Sequence, residues 1–181
     1  MKGRTRLIFF GVVASQLLFI LGLVAYKEAT LRFGTEVVLQ TVPVDPRDLF
    51  RGDYVVLRYE VSTLEYPVVY DEDWKAGDQV YVRLQPATLT DGQEVWRAVE
   101  ARRNKGADWD VFIKGRVTRI DGTLEQTVLQ IDYGIESYFV PEGQGLEIER
   151  ARDVKARVAV NGFGEGISKG LIVDGQPWEP R

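Results

Sequence analysis

Twenty consecutive uncharged and mostly apolar positions, Leu7–Tyr26, constrain this chain more than any other feature. At about 1.5 Å rise per residue, a helix of that length covers about 30 Å, the hydrocarbon thickness of a bilayer. Lys2, Arg4 and Arg6 precede the run and Tyr26 closes it. Cations stay on the cytoplasmic side and aromatic rings settle at the interface, so the expected topology is single-pass, N-terminus inside, remainder outside. A cleaved signal peptide has a shorter apolar region, about 7–15 residues, and ends at a small-residue site. The stretch "GLVAYKEA" offers no such site, which favours a retained signal-anchor. The expected organisation is a cytoplasmic tail 1–6, an anchor 7–26 in the inner or plasma membrane, a linker 27–35 and an extracytoplasmic domain 36–181. Gly11, Ser15 and Gly22 share one helix face. Small residues there fit simple tolerance in a span better than a helix–helix seam.

Charge divides the chain at the same place. Residues 1–32 hold five cations against Glu28, a net of +4, and the remainder holds 18 basic against 26 acidic residues, a net of −8. An acidic domain repels phosphate backbones, so nucleic acid is not an expected partner. The chain contains neither cysteine nor histidine. That excludes disulfides, thiol nucleophiles, His-based triads and most zinc chemistry. No cofactor and no metal is expected; the bilayer itself is the first expected partner.

Beyond the anchor, short segments of alternating hydrophobicity follow one another between turn signals. Strands are expected at Glu36–Val42, Tyr54–Val61, Gln79–Gln85, Gln93–Ala101, Val111–Ile120, Leu124–Tyr133, Ser137–Val140, Val154–Val160 and Ile167–Val173, with a shorter one at Pro67–Tyr70. "RDLF" reads as one helical turn. Asp-Gly pairs at 91–92 and 121–122 predict hairpin turns. "EGQGLEIERARD" predicts one short helix, "NGFGEG" a turn, and "DGQPWEPR" a tail. Regularly spaced strands of this kind argue a mainly β fold, an antiparallel sandwich or a partly closed barrel.

Within Tyr54–Val61, Val55, Leu57, Tyr59 and Val61 share the face expected in the core; Tyr54, Val56, Arg58 and Glu60 share the other. Arg51-Gly52-Asp53 just before it matches an adhesion tripeptide, but Asp53 leads at once into a strand, so a turn is the better reading. A membrane-anchored signal peptidase would need a serine beside a lysine base ahead of the Gly-Asp pair. "VDPRDLFR" contains no serine, and Ser168 and Lys169, as strand neighbours, point to opposite faces. Acidic side chains gather at Asp132, Glu136, Glu142, Glu147 and Glu149, and again at Asp71, Glu72 and Asp73. The second group lacks the spacing of known calcium loops. Aromatic residues gather at Tyr54 and Tyr59, and at Tyr133, Tyr138 and Phe139. Core packing is the ordinary use of such residues. A binding groove lined by Tyr54, Tyr133, Glu136, Tyr138 and Glu142, serving an envelope-facing carboxylate-based hydrolase or a glycan-binding domain, is the functional alternative.

Gly52-Asp53-Tyr54-Val55-Val56-Leu57-Arg58-Tyr59 resembles the Gly-Asp-Tyr-x-x-Leu-x-Tyr signature of the bacterial GDYXXLXY family. "VPVDPRDLFRGDY", "YGIESYFVPEG" and "KGLIVDG" are similar to that family too. The resemblance implies a membrane-anchored extracytoplasmic protein of a family whose biochemical activity is not established. It also implies a multi-pass membrane protein as a possible partner, and it carries over no catalytic residue. The signature positions Gly52, Asp53, Tyr54, Leu57 and Tyr59 are expected to serve structure or interaction. The expected function is a membrane-tethered, non-enzymatic β-domain working with an integral membrane partner.

Overall fold

The structure, a computed structural model, describes residues 2–42, 54–65, 68–69, 73–89, 92–123, 126–141 and 143–180. Helix α1 spans Lys2–Phe33. Its segment Arg6–Phe33 is long and apolar enough to cross a membrane, and its apolar stretch packs against nothing in the fold. Leu7, Phe9, Phe10, Leu18 and Phe19 all remain exposed along it. The helix runs on through residues 27–33, the stretch expected as a linker, and passes into β1 (Thr35–Val42) through Gly34. The junction is tight. The Gly34 N–H donates to the Thr30 carbonyl at 2.9 Å. A Cβ at position 34 would stand 2.5 Å from that same oxygen and 3.0 Å from the Val160 carbonyl oxygen.

The remaining elements are mainly β, as the alternation predicts. In chain order they are β2 (Tyr54–Val56), β3 (Arg58–Tyr59), a 3-10 turn (Glu60–Ser62), β4 (Thr63–Leu64), β5 (Gln79–Thr88), β6 (Glu94–Arg102), β7 (Phe112–Thr123), β8 (Gln126–Asp132), β9 (Ser137–Phe139), α2 (Gly145–Glu149), β10 (Val154–Val160), β11 (Gly166–Val173) and β12 (Gln176–Trp178). They form two five-stranded sheets, β12-β11-β10-β1-β3 and β4-β8-β7-β5-β6, and a two-stranded ribbon β2-β9. The 3-10 turn carries the chain from β3 in one sheet to β4 in the other, giving a nearly closed, barrel-like sheet. Register shifts at Arg83/Leu84, Val117/Arg119 and Arg157/Val158 mark bulges, which bend strands and help a sheet curl.

The interior is aliphatic. Val37, Leu39, Val80, Val82, Ile113, Val117, Leu129, Ala156 and Val158 are fully buried. Each large side chain of that kind contributes about 1.5–3 kcal/mol relative to leaving it in water. The face expected to be core between 54 and 61 is core: Val55, Leu57, Tyr59 and Val61 are buried, while Val56, Arg58 and Glu60 are exposed. Their stretch is not one strand, however. It contributes first to the β2–β9 ribbon and then, as β3, to the β1 sheet, and the break at Leu57 is bridged by its N–H, which donates to the Glu136 carbonyl at 2.7 Å.

Two assignments change. Asp121 and Gly122 do not turn; they pair inside the ladder opposite Val128 and Thr127, and the chain reverses between Thr123 and Gln126. The expected tail holds β12, because Asp174 and Gly175 both take left-handed backbone angles, φ 48° and 81°, and close a two-residue hairpin. Of the short strand expected at Pro67–Tyr70, only Val68 and Val69 are among the described residues, and Val69 forms a bridge with Ala101. The "RDLF" turn lies outside the described residues. β10 keeps its expected bounds but buries both faces, including Lys155, whose ammonium pairs with Asp153.

Candidate functional site

The signature strand and the second aromatic segment, far apart in sequence, are one unit. β2 and β9 pair antiparallel, with Tyr54 opposite Phe139, Val55 opposite Tyr138 and Val56 opposite Ser137. Residues directly opposite share a face, and alternate residues along a strand do too. Tyr54, Val56, Ser137 and Phe139 therefore make one side of the ribbon; Val55 and Tyr138 make the other. The inner side is anchored. Val55 is buried, and Tyr138 meets Trp178 edge-on at 6.1 Å between ring centres. The outer side is more open. Phe139 is 76% exposed and Val56 53% exposed, and Tyr54 tilts against Phe139 at 6.0 Å. Leu146, on α2 beside β2, adds a further exposed apolar side chain.

Behind this ribbon the signature tyrosine and its counterpart exchange backbone contacts. The Tyr59 hydroxyl donates to the Ile135 carbonyl at 2.7 Å, and the Tyr133 hydroxyl donates to the Val61 carbonyl at 2.5 Å. Burial pushes both phenols above their ordinary range. Both hydroxyls are thus committed to holding the 133–136 turn against the signature stretch, and neither is available as a ligand group.

The carboxyls of Asp132 and Glu136 close that turn. The Gly134 N–H donates to Asp132 Oδ1 at 2.8 Å, and the Tyr133 N–H donates to Glu136 Oε1 at 2.6 Å. The two side chains are also hydrogen-bonded to each other. Burial first, then that bond with Asp132, pushes Glu136 up to about 7; the same bond, followed by the Gly134 N–H, holds Asp132 below the usual carboxylate range. Two like charges crowded together push one carboxyl up and the other down. Chemically this is a titrating latch on a turn.

Of the expected groove, Tyr133 and Glu136 lie together, Tyr54 and Tyr138 stand on opposite sides of the ribbon, and Glu142 lies outside the described residues. Gly52 and Asp53 lie outside them as well, as do Asp71 and Glu72. Among the described residues no three acidic side chains converge as a metal site would need. A surface hollow of about 470 Å³ sits elsewhere, on the loop after β6, lined by Arg102, Arg103, Asn104, Lys105, Gly106 and Ala107. That Val56 and Phe139 share one exposed face was missed in the sequence. Its only trace was that both sit one residue out of phase with buried neighbours.

A family model described as GDYXXLXY protein matches residues 16–171. No curated protein and no solved structure matches the chain.

Proposed function

We propose that this chain, which belongs to the GDYXXLXY protein family, acts as a membrane-tethered, non-enzymatic domain that presents the outer face of the β2–β9 ribbon to an integral membrane partner. The N-terminus lies in the cytoplasm and the β-domain outside, following the cations that precede the apolar run. The observation that carries the partner reading is the exposure of Phe139 and Val56 on one face, with Leu146 exposed on the neighbouring helix. Apolar groups gathered on a surface rimmed by polar residues mark interaction sites more often than scattered ones do. The signature itself fits this use: its inward residues Val55, Leu57 and Tyr59 fasten the strand, while its outward Val56 is exposed.

A photo-activatable cross-linker at position 139, in the full chain in native membranes, tests the proposal. The expected product is an adduct with a protein that stays in the membrane after carbonate extraction. The same group at exposed Glu94 on β6 should give no such adduct. Equal adducts at both positions would remove the ribbon as the interaction face.

A further inference from the structure

The end of the apolar run is hydrogen-bonded into a turn of the β-domain. The Tyr26 hydroxyl donates to Glu165 Oε2 at 2.8 Å and accepts from Asn161 Nδ2 at 2.9 Å. The same Asn161 amide reaches Thr30 Oγ1, one helical turn further on, at 3.2 Å, and Thr30 is buried. The other end of the Asn161 side chain accepts from the Phe163 N–H at 2.9 Å and the Glu165 N–H at 3.0 Å. One asparagine thus closes the 161–165 turn and clamps it to α1. Tyr26 and Thr30 are about 6 Å apart along the helix axis. The turn therefore lies beside the helix at the level where its uncharged surface ends.

Phe163, in that turn, is 69% exposed. Three lysines lie near the turn. Lys114 pairs with Glu165 at 3.6 Å, and Lys27 acts on the same carboxyl. Lys105 stands 4.5 Å over the Phe112 ring, which in turn occupies the space a Cβ on Gly164 would need. An exposed aromatic ring with lysines close by, held at the end of a spanning helix, matches the chemistry of the bilayer interface. There, aromatic bodies sit among the headgroups and long cationic side chains reach phosphates.

We propose that the Asn161–Glu165 turn is a membrane-contact site: Phe163 enters the interfacial layer of the leaflet from which α1 emerges, and Lys27, Lys105 and Lys114 face lipid phosphates. This rests on the reading of α1 as a membrane span. The domain is then held at a fixed height and tilt over the bilayer, and the β2–β9 ribbon is presented in one orientation.

The chain has no cysteine, so single substitutions report single positions. Phe163→Cys, Phe139→Cys and Phe19→Cys in the full chain would each carry a nitrobenzoxadiazole fluorophore, in nanodiscs of phosphatidylcholine and phosphatidylglycerol. Aqueous iodide and lipids bearing a nitroxide near the headgroup or deep in the acyl chain serve as quenchers. The label at 163 should be quenched by the shallow nitroxide several-fold more strongly than the label at 139, and be protected from iodide; the label at 19 should answer to the deep nitroxide. Iodide quenching at 163 equal to that at 139, with 19 still in hydrocarbon, overturns the contact site and leaves the span intact. Iodide reaching position 19 overturns the span and the contact site with it. Shielding at 163 without nitroxide quenching means that protein covers it, which also overturns the proposal.

Discussion

Leu57 and Val56 are chain neighbours with opposite consequences. Leu57 is 4% exposed in the main core, and Val56 faces solvent. Leu57→Ala should cost about 2–5 kcal/mol, because the core cannot fully collapse on the cavity. Val56→Ala should stay within about 0.5 kcal/mol. Denaturant unfolding of the two variants checks this, and equal losses would mean that the ribbon is buried on both sides. Glu136 gives a second prediction at this scale. Its folded value, about 7, lies above the ordinary 4.5, so the folded chain holds the proton more tightly than the unfolded one. The stabilising contribution is therefore full below 4.5 and lost as pH rises through about 7. Asp132 has the opposite sign: its contribution is present above its ordinary 3.8 and lost as pH falls. With no histidine in the chain, few other side chains titrate in between. The thermal midpoint should fall between about pH 5 and 8, and Glu136→Gln should flatten that fall. An unchanged slope in the variant would assign the titration to another group. Which residues face inward was legible from period-two alternation alone. The Glu136–Asp132 bond was not, because the two acids appear in the sequence as ordinary loop carboxylates and only the Gly134 turn folds them together.

Element boundaries show where local reading succeeds and where it stops. β10 was legible to its end residues because Val154–Val160 stands between turn-forming neighbours. The Tyr54–Val61 stretch kept its alternation while changing sheets, since a side-chain period survives a change of hydrogen-bonding partner. Only the contacts of Leu57 and Tyr59 with residues some 76–79 positions later reveal the breaks. Asp121–Gly122 carried the right turn chemistry three residues too early. Register is set by which residues pair across the ladder, here Ile120 with Leu129 and Val117 with Ile131, and not by the turn signal alone. The helix–strand junction belongs to this scale too. Gly34→Ala forces a Cβ against two backbone carbonyls, neither of which is a flexible tip. It should cost about 1–3 kcal/mol by overpacking, read as a lower thermal midpoint of the full chain in detergent micelles. A variant as stable as the parent would mean that α1 is free to swing away from β10.

For the whole molecule, the mainly β class, the apolar helix and the family were legible because length, alternation and a signature are written in one dimension. The docking of α1 on the domain was not, since Tyr26, Thr30, Asn161 and Glu165 meet only when the turn between β10 and β11 folds back on the helix. The β-domain is docked on α1, its inward signature residues are buried in the fold, and the proposed partner face is the exposed Val56–Phe139 side of the ribbon. Phe139→Ser separates these two roles most directly, compared with Leu57→Ala and the parent chain. Thermal unfolding and capture of membrane partners would be measured on the same preparations. Phe139→Ser should unfold at the parental midpoint but no longer capture the integral membrane protein that cross-links at position 139, while Leu57→Ala should unfold earlier. Undiminished capture by Phe139→Ser would contradict this.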